Sequence, residues 1–344
     1  MNVLAIQLKR IGDLVLTTPA LAQLKSRGAR VTLVVDSSCA SLLPAIGGVD
    51  ERLVYSKKGG NRALWRRIRE RAWDVCLDFT GSDRSALLGW ISRTPRRITF
   101  QWVRKRLLRR LAYHAFVDSP VRLAHTCDHY SDLLRPLGFE RGAGNQPSLD
   151  LPPDARDRAT ALAAAGAIHG GYVLLHPGTA RPEKYWLAER WAAVIGKLHE
   201  LGQAVVITCG PDAFEKAHAA AIERACGGLT GRTATLFPPD LPTLAALVEK
   251  ARLIVSCDTA VVHLAAAFQQ PQIALFGPTN PFHWRPRHER SVVISAAQPD
   301  APLTNFLPKM AGAPMERIPV ATVLRSAEAL LSVPPHSSGS ADRI

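Results

Sequence analysis

The sequence predicts an α/β protein of two doubly wound domains, each a parallel sheet with helices on both faces. Three observations lead to this prediction. The chain has 344 residues, which is enough for two domains of ordinary size. Short apolar runs alternate with amphipathic stretches along its whole length, as in strands joined by crossover helices. The segment Gly142–Arg158, rich in Gly, Pro, Asn and Asp, has the composition of a connector between two halves.

Strands are predicted at the short apolar runs, and helices at the amphipathic stretches between them. The predicted strands are Val3–Leu8, Val31–Val35, Val75–Phe79, Ile98–Phe100, Tyr172–His176, Ala204–Cys209, Leu253–Cys257, Gln272–Phe276 and Val292–Ile294. The predicted helices are Leu14–Ser26, Ser85–Ile91, Trp186–Leu201, Ala213–Cys226, Pro242–Lys250 and Thr259–Phe268. We therefore predict a first domain over 1–150, a second over 151–333, and a disordered tail over 334–344, whose Pro- and Ser-rich sequence cannot build a core.

Composition excludes several classes of protein. With 47% hydrophobic and 21% charged residues the chain is globular, and no stretch approaches the ~20 apolar residues of a membrane-spanning helix. The six cysteines form no CxxC pair, so we expect buried thiols rather than a zinc site or a disulfide framework. The apolar start is short, runs into Lys9 and Arg10 and has no basic region before it, so a cytoplasmic location is expected.

The net charge of +14 is concentrated in two segments of the first half. Lys57–Arg71 contains seven basic residues and one acidic residue, and Arg93–Arg110 contains eight basic residues and none that are acidic. Each run alone could be a solvated helix face, but two of them indicate an acidic partner: nucleic acid, anionic lipid or an acidic saccharide. Apolar side chains among the arginines suggest a membrane surface, although each could equally face the core: Trp65, Trp73, Trp90, Trp102, Leu107 and Leu108.

In the first half, the chemistry is expected where the first strand ends. The chain contains neither GxGxxG nor GxxxxGK[ST], so hydride transfer and NTP hydrolysis lose their main support. Gly12 permits a tight strand-to-helix turn after Arg10, and Asp13 is placed at the carboxyl end of that strand, facing the cleft. The alternative is that Asp13 only caps the following helix.

In the second half, a strand runs directly into a helix at Ser256–His263. The exposed N–H groups of such a helix start, together with the helix dipole, suit a diphosphate. His263 lies about one turn into this helix, where it could reach the anion or could be a packed core residue. Lys184, in the loop after another strand, could neutralise phosphate or be an ordinary surface lysine. Thr279 follows a Gly-Pro turn at the same edge.

These motifs, in this order, resemble the bacterial ADP-heptose:lipopolysaccharide heptosyltransferases, glycosyltransferase family 9. The resemblance spans nearly the whole chain up to the tail. The matching segments are Lys9–Asp13 with Thr18–Leu21, Asp74–Asp78, His129–Gly138, His176–Gly178, Lys184–Trp186, Asp258–Ala267 and Phe276–Thr279.

The resemblance implies a glycosyltransferase-B fold, in which two Rossmann-like domains face each other across a cleft. The C-terminal half would hold the donor ADP-heptose, and the N-terminal half would hold the acceptor, the lipid A-linked core oligosaccharide. L-glycero-D-manno-heptose would be transferred with inversion and without a metal or other cofactor. In family terms Asp13 is the general base, and the donor-binding residues are Lys184 for phosphate, Glu215 for the nucleoside, Asp258 for heptose hydroxyls, and Thr259, Ala260 and His263 for diphosphate.

One position departs from the family pattern, because Ala260 stands where glycine is usual. The alanine methyl group leaves less room for a ligand close to this backbone. A donor other than ADP-heptose, another nucleotide sugar, is therefore left open. We assign acceptor binding to Arg10, Arg104, Lys105 and Arg106, and expect the enzyme at the inner face of the inner membrane, against its anionic surface. A nucleic-acid-binding protein would explain the charge but not the site residues, so no nucleic acid partner is expected.

Overall fold

The computed structural model describes residues 1–141, 145–228 and 232–333, and its first half is a parallel sheet of six strands. The strands are β1 (Asn2–Gln7), β2 (Arg30–Asp36), β3 (Glu51–Tyr55), β4 (Val75–Asp78), β5 (Arg97–Phe100) and β6 (Ala115–Val117), in the order β3-β2-β1-β4-β5-β6. The helices of this half are α1 (Ile11–Ser26), α2 (Arg62–Glu70), α3 (Asp83–Ile91), α4 (Leu107–Arg110) and α5 (Thr126–Asp132).

The second half repeats this plan. Its strands are β7 (Tyr172–His176), β8 (Ala204–Thr208), β9 (Thr233–Leu236), β10 (Leu253–Cys257), β11 (Gln272–Phe276) and β12 (Ser291–Ser295), in the order β12-β11-β10-β7-β8-β9. Its helices are α6 (Pro153–Ala165), α7 (Ala188–Glu200), α8 (Ala213–Ala225), α9 (Leu241–Lys250), α10 (Ala260–Ala267) and α11 (Val320–Ser332). The two-sheet α/β architecture predicted from the sequence is thereby confirmed.

The central strands are apolar because helices cover both faces of each sheet. In β1, Val3 and Ala5 face one way and pack with α1 and α5, whereas Leu4 and Ile6 face the other way and pack with α2 and α3. All four side chains are fully buried. The register is parallel throughout, with Val3 opposite both Val31 of β2 and Val75 of β4. This packing fixes where each strand ends, and therefore where each loop of the cleft begins.

The connector is shorter than predicted. Residues 145–152 have no helix or strand, but α6 already begins at Pro153, because proline is favoured at the first position of a helix. The domain boundary between residues 150 and 151 stays a prediction, and the tail at 334–344 lies outside the described residues. The six cysteines are unpaired, and five are buried; the expectation of burial is wrong for Cys226, which is half-buried.

The two halves meet at the loops that follow their central strands. Helix α1, which follows β1, lies against α10, which follows β10, and one continuous buried cluster contains residues of both. Arg287, after β11, donates a hydrogen bond of 2.8 Å to Asp128 of α5 and one of 2.6 Å to the carbonyl of Asn145. His125, the N-cap of α5, lies 2.9 Å from the carbonyl of Arg285. The cleft is therefore bounded by direct contacts between the halves.

Candidate functional site

Asp13 lies in the first turn of α1, just beyond the carboxyl end of β1. Tyr130 of α5 donates a hydrogen bond of 2.5 Å to its Oδ1, and the Asp13 side chain keeps about a quarter of its surface exposed. The N-cap of α1 is Arg10, and within the described residues no backbone N–H donates to the Asp13 carboxylate. Asp13 therefore does not act as a helix cap, and its carboxylate stays partly exposed.

Lys9 and Asp13, both partly exposed, form a hydrogen-bonded triad with the buried Tyr130. Its Nζ donates to the Tyr130 hydroxyl at 3.1 Å and lies 4.0 Å from Asp13 Oδ1. Burial lowers the pKa of Lys9, opposed by the nearby carboxylates of Asp13 and Asp78. Burial is also the main reason why the pKa of Tyr130 is raised, so its hydroxyl stays a hydrogen-bond donor at neutral pH. The sequence reasoning assigned no role to Lys9 or Tyr130.

Lys184 and Asp258 form an ion pair at the centre of the second sheet. Lys184 is in the loop after β7, Asp258 directly follows β10, and these neighbouring strands mark the point where the strand order reverses. Nζ of Lys184 lies 2.5 Å from Oδ2 of Asp258, and the two side chains are only 12% and 10% exposed. A doubly wound sheet binds its ligand at this reversal point. The structure thus brings together two residues predicted from separate motifs, and Lys184 is not an ordinary surface lysine.

Helix α10 begins beside this pair. Thr259 is its N-cap and accepts a hydrogen bond from the Val261 N–H at 3.3 Å, and Ala260 is its first residue. The other N–H groups of the first turn have no intrahelical acceptor, so they and the positive end of the helix dipole can meet an anion next to Lys184. The predicted anion-binding start of this helix therefore has the required local structure.

His263 of α10, in the second half, lies against Gly12 of the first half. Its side chain is only 5% exposed, and a Cβ placed on Gly12 would lie 2.6 Å from its Cδ2. Burial lowers the pKa of His263, so the ring is neutral; the nearby carboxylates of Asp258 and Asp13 act in the opposite direction. Gly12 is thus required for close approach of the two halves, beyond its role in the turn that the sequence predicted.

Glu215 fills the space between two other loops of the second sheet. It lies in the first turn of α8, and its Oε2 accepts a hydrogen bond of 2.6 Å from the Gly210 N–H. A Cβ on Gly178, in the loop after β7, would overlap the same carboxylate. Burial raises the pKa of Glu215. Thr279, in the loop after β11, is half-buried at the same edge of the sheet.

The proposed acceptor residues lie on the first half. Arg10 is exposed next to Asp13, whereas Arg104, Lys105 and Arg106 are exposed in the turn that follows β5. None of these four forms an ion pair within the described residues. Other parts of the basic segments are compensated, contrary to expectation, by carboxylates distant in sequence: Asp36 pairs with Lys57, Glu51 with Arg67 and Arg71, and Asp83 with Arg109.

The comparison with known families decides what kind of protein this is. Residues 61–308 match the pattern of glycosyltransferase family 9 (heptosyltransferase), which is more than half of the chain. The chain belongs to glycosyltransferase family 9. It is therefore a glycosyltransferase, as the sequence motifs predicted.

Relatives of this glycosyltransferase extend over nearly its whole length. Lipopolysaccharide heptosyltransferase 3 of Escherichia coli K12 is 26% identical over 96% of this chain and 98% of its own. A family 9 glycosyl transferase structure from Veillonella parvula superposes with a TM-score of 0.83 at 22% identity, over 96% of this chain and 97% of its own. The structure of E. coli heptosyltransferase WaaC with ADP-2-deoxy-2-fluoro heptose superposes with a TM-score of 0.72 at 22% identity, over 96% of this chain and 99% of its own. These structures confirm the predicted glycosyltransferase-B fold.

The described residues of the glycosyltransferase contain neither a candidate metal site nor a candidate membrane-spanning helix. Among residues 1–141, 145–228 and 232–333, no three His, Cys, Asp or Glu side chains are grouped so that they could hold a metal ion. Within the same residues no helix combines the length and the apolar character needed to cross a bilayer.

Proposed function

We propose that this enzyme transfers L-glycero-D-manno-heptose from ADP-heptose to the lipopolysaccharide inner core, with inversion at the anomeric carbon. The observation that carries the proposal is the juxtaposition of the acceptor-side carboxylate of Asp13 with the donor-side Lys184–Asp258 pair, joined by the contact of Gly12 with His263. It is supported by the name of the E. coli relative, a lipopolysaccharide heptosyltransferase, and by the nucleotide-sugar analogue carried by the WaaC structure.

The donor site is assigned by charge. The diphosphate lies at the start of α10, where Thr259 and Ala260 offer backbone N–H groups and Lys184 offers its ammonium. Asp258 accepts hydrogen bonds from heptose hydroxyls. Glu215, between Gly178 and Gly210, receives the nucleoside end of the donor, since its carboxylate can accept hydrogen bonds from hydroxyl groups there. Thr279 supplies a hydroxyl at the same edge.

The chemical step is a single displacement. Asp13 accepts the proton of the acceptor hydroxyl while that oxygen attacks the anomeric carbon, and the bond from this carbon to the diphosphate oxygen breaks. The electron pair leaves with the diphosphate, and the charge that develops there is stabilised by Lys184 and the N–H groups of α10. No metal ion or other cofactor takes part in the proposed step. Tyr130 holds one carboxylate oxygen of Asp13, which leaves the other for the substrate.

The acceptor is held by the first half. Arg10, Arg104, Lys105 and Arg106 are exposed cations that suit the phosphates and ketosugar carboxylates of a lipid A-linked core oligosaccharide. An acceptor of this kind is anchored in a bilayer, so we place the enzyme in the cytoplasm, peripheral to the inner face of the inner membrane.

One observation favours an alternative donor. Ala260 replaces the usual glycine at the first position of α10, and its methyl group narrows the space for a ligand against that backbone. A transferase of the same fold using another nucleotide sugar would use the same Asp13 and Lys184. The acceptor side would be unchanged.

The test is to incubate the purified enzyme with heptose-deficient lipopolysaccharide and, in turn, ADP-heptose, ADP-glucose, UDP-glucose and GDP-mannose, measuring release of the nucleoside diphosphate. We expect acceptor-dependent release from ADP-heptose far above that from the other donors. Release from a different donor would select the alternative. No release from ADP-heptose with any inner-core acceptor would contradict the proposed function.

A further inference from the structure

We infer that the outer surface formed by α2, α3 and residues 101–111 is a docking face for an anionic phospholipid bilayer. Its apolar part is unusual for a surface. Leu107, Leu108 and Leu111 are 63%, 82% and 69% exposed, and Trp90 of α3 is 63% exposed. Contiguous large apolar side chains in contact with water mark interaction sites. Trp73, which the sequence grouped with these residues, is buried and belongs to the core.

Contacts within the fold make this surface continuous. Arg109, between the exposed leucines, donates a hydrogen bond of 2.5 Å to Asp83 in the first turn of α3. Leu87 and Trp90 follow Asp83 at intervals of four and seven residues, which places all three on the same side of the helix. Trp65 of α2 lies across a groove from Trp90. The surface therefore runs from residues 107–111 along α3 to α2.

The groove between α2 and α3 combines arginines that can bind an anionic headgroup with indole rings that can contact the apolar chain attached to it. It has a volume of about 890 Å³, and its walls include both indoles together with Arg66, Arg69 and Arg93. Within the described residues these three arginines form no ion pair. Indoles at the level of the headgroups and arginines beside phosphates are the side chains that proteins place at a bilayer interface.

Charge complementarity selects the bilayer as the occupant. Exposed cations without an ion pair in the described residues surround the apolar side chains, and the acidic residues of the face are Asp83, already paired with Arg109, and Glu70. These cations are Arg66, Arg69, Arg84, Arg93, Arg104, Lys105, Arg106 and Arg110. A nucleic acid would use the arginines but would leave three exposed leucines without a partner, whereas a bilayer accommodates both.

The docking face lies next to the edge of the cleft. Trp102 and Val103 lie against Gly81, which follows β4, the strand next to β1; a Cβ on Gly81 would be 2.7 Å from the Trp102 indole. Residues 101–111 therefore border the edge of the cleft where Asp13 lies. Docking there brings the acceptor side, rather than the nucleotide side, to the lipid surface. This inference rests on the membrane location given under the proposed function and adds which surface meets the membrane; it does not depend on which sugar is transferred.

Vesicle co-sedimentation tests the inference with the full-length protein. We expect binding to vesicles rich in phosphatidylglycerol, much weaker binding to pure phosphatidylcholine, and release by high salt. The variant Leu107→Asn/Leu108→Asn/Leu111→Asn should lower the partition coefficient by at least about tenfold. The control is Leu201→Asn/Phe237→Asn/Leu307→Asn, which also changes three exposed apolar residues, here of the second half and 38%, 53% and 50% exposed, and should bind like the wild type.

Activity measurements separate this inference from the proposed function. With a deacylated, water-soluble acceptor the leucine variant should turn over like the wild type, which also shows that it is folded; with acceptor embedded in anionic vesicles it should be slower. Equal vesicle binding by the leucine variant and the wild type would overturn the inference, as would tighter binding of the wild type to duplex DNA than to vesicles. Absence of turnover by the wild-type enzyme with every acceptor would contradict only the proposed function.

Discussion

Lys184 and Asp258 are paired with each other, Nζ to Oδ2 at 2.5 Å, although the proposed mechanism gives them different parts of the donor. In that mechanism the diphosphate interacts with the ammonium of Lys184, and the sugar interacts with the carboxylate of Asp258. When a nucleotide sugar binds, the substrate therefore competes with Asp258 for Lys184 and with Lys184 for Asp258. Both side chains are nearly buried, so neither is easily compensated by water.

This pair makes a prediction about ADP, which carries the diphosphate but no sugar. Lys184→Gln should weaken ADP binding by about 10- to 100-fold, the value of a charge-assisted hydrogen bond to phosphate. Asp258→Asn should bind ADP as well as the wild type or more tightly, since it frees Lys184 from its carboxylate, but should lose turnover. Calorimetric titration with ADP measures both effects. Equal weakening of ADP binding by the two substitutions would show that Asp258 does not act on the sugar.

Tyr130→Phe tests the hydrogen bond that holds Asp13. The variant keeps the ring packed against Phe79 and removes only the hydroxyl. The kcat should fall by about 10- to 100-fold, because the Asp13 carboxylate loses the 2.5 Å hydrogen bond that orients it. The donor KM should stay unchanged. Steady-state kinetics at saturating acceptor measures kcat and the donor KM separately. A variant with wild-type kcat would show that Tyr130 does not position Asp13.

Gly12→Ala tests the close approach of the two halves. The added Cβ would be 2.6 Å from the His263 ring, so the halves must separate slightly or His263 must move. We expect destabilisation of about 1–3 kcal/mol and reduced turnover. The matched control is Gly196→Ala in α7, where a Cβ meets no atom within 4 Å and where alanine should stabilise by about 0.5–1 kcal/mol. Thermal unfolding measures the stability of both variants. A Gly12→Ala protein as stable and as active as the Gly196→Ala control would contradict the close contact between Gly12 and His263.

Charge reversal tests the acceptor side. Glutamate at Arg104, Lys105 and Arg106 should raise the KM for lipopolysaccharide more than about tenfold and leave the donor KM unchanged, because the three cations lie on the half of the molecule opposite the donor. Reversal of Arg224, Arg232 and Lys309, which are exposed on the second half, makes the same change in net charge and serves as control. Equal effects of the two triple variants on the acceptor KM would refute a local role.

The sequence predicted the central strands and the edge strand β12, and it missed the other three edge strands. Runs such as Val3–Leu8 are apolar because both faces are buried, and apolarity is what the pattern detects. The missed strands β3, β6 and β9 all lie at edges. Glu51–Tyr55 alternates between half-buried and exposed residues and so forms no apolar run, whereas Ala115–Val117 is apolar but short, and two of its three residues are only half-buried. Their pairing with a neighbouring strand defines them, and a single sequence does not show that pairing.

The site was predictable where it depends on local order along the chain. Asp13, Lys184 and Asp258 each follow a buried strand, and parallel sheets bring such positions to one edge. Tyr130 was not predictable as a partner of Asp13, because 117 residues separate the two and only the packing of α5 on α1 brings them together. The same holds for the carboxylates of Asp83 and Glu51, which neutralise part of the basic segments from a distance.

The most direct test of the account is a single-turnover reaction of Asp13→Asn with ADP-heptose and heptose-deficient lipopolysaccharide, with ADP affinity measured on the same protein. Asparagine keeps the shape of the side chain but cannot accept the proton of the acceptor hydroxyl. We predict heptose transfer slower by about 100-fold or more, with ADP binding unchanged. Transfer at the wild-type rate, or loss of ADP binding in step with the loss of transfer, would contradict the assignment of Asp13 as the base that activates the acceptor.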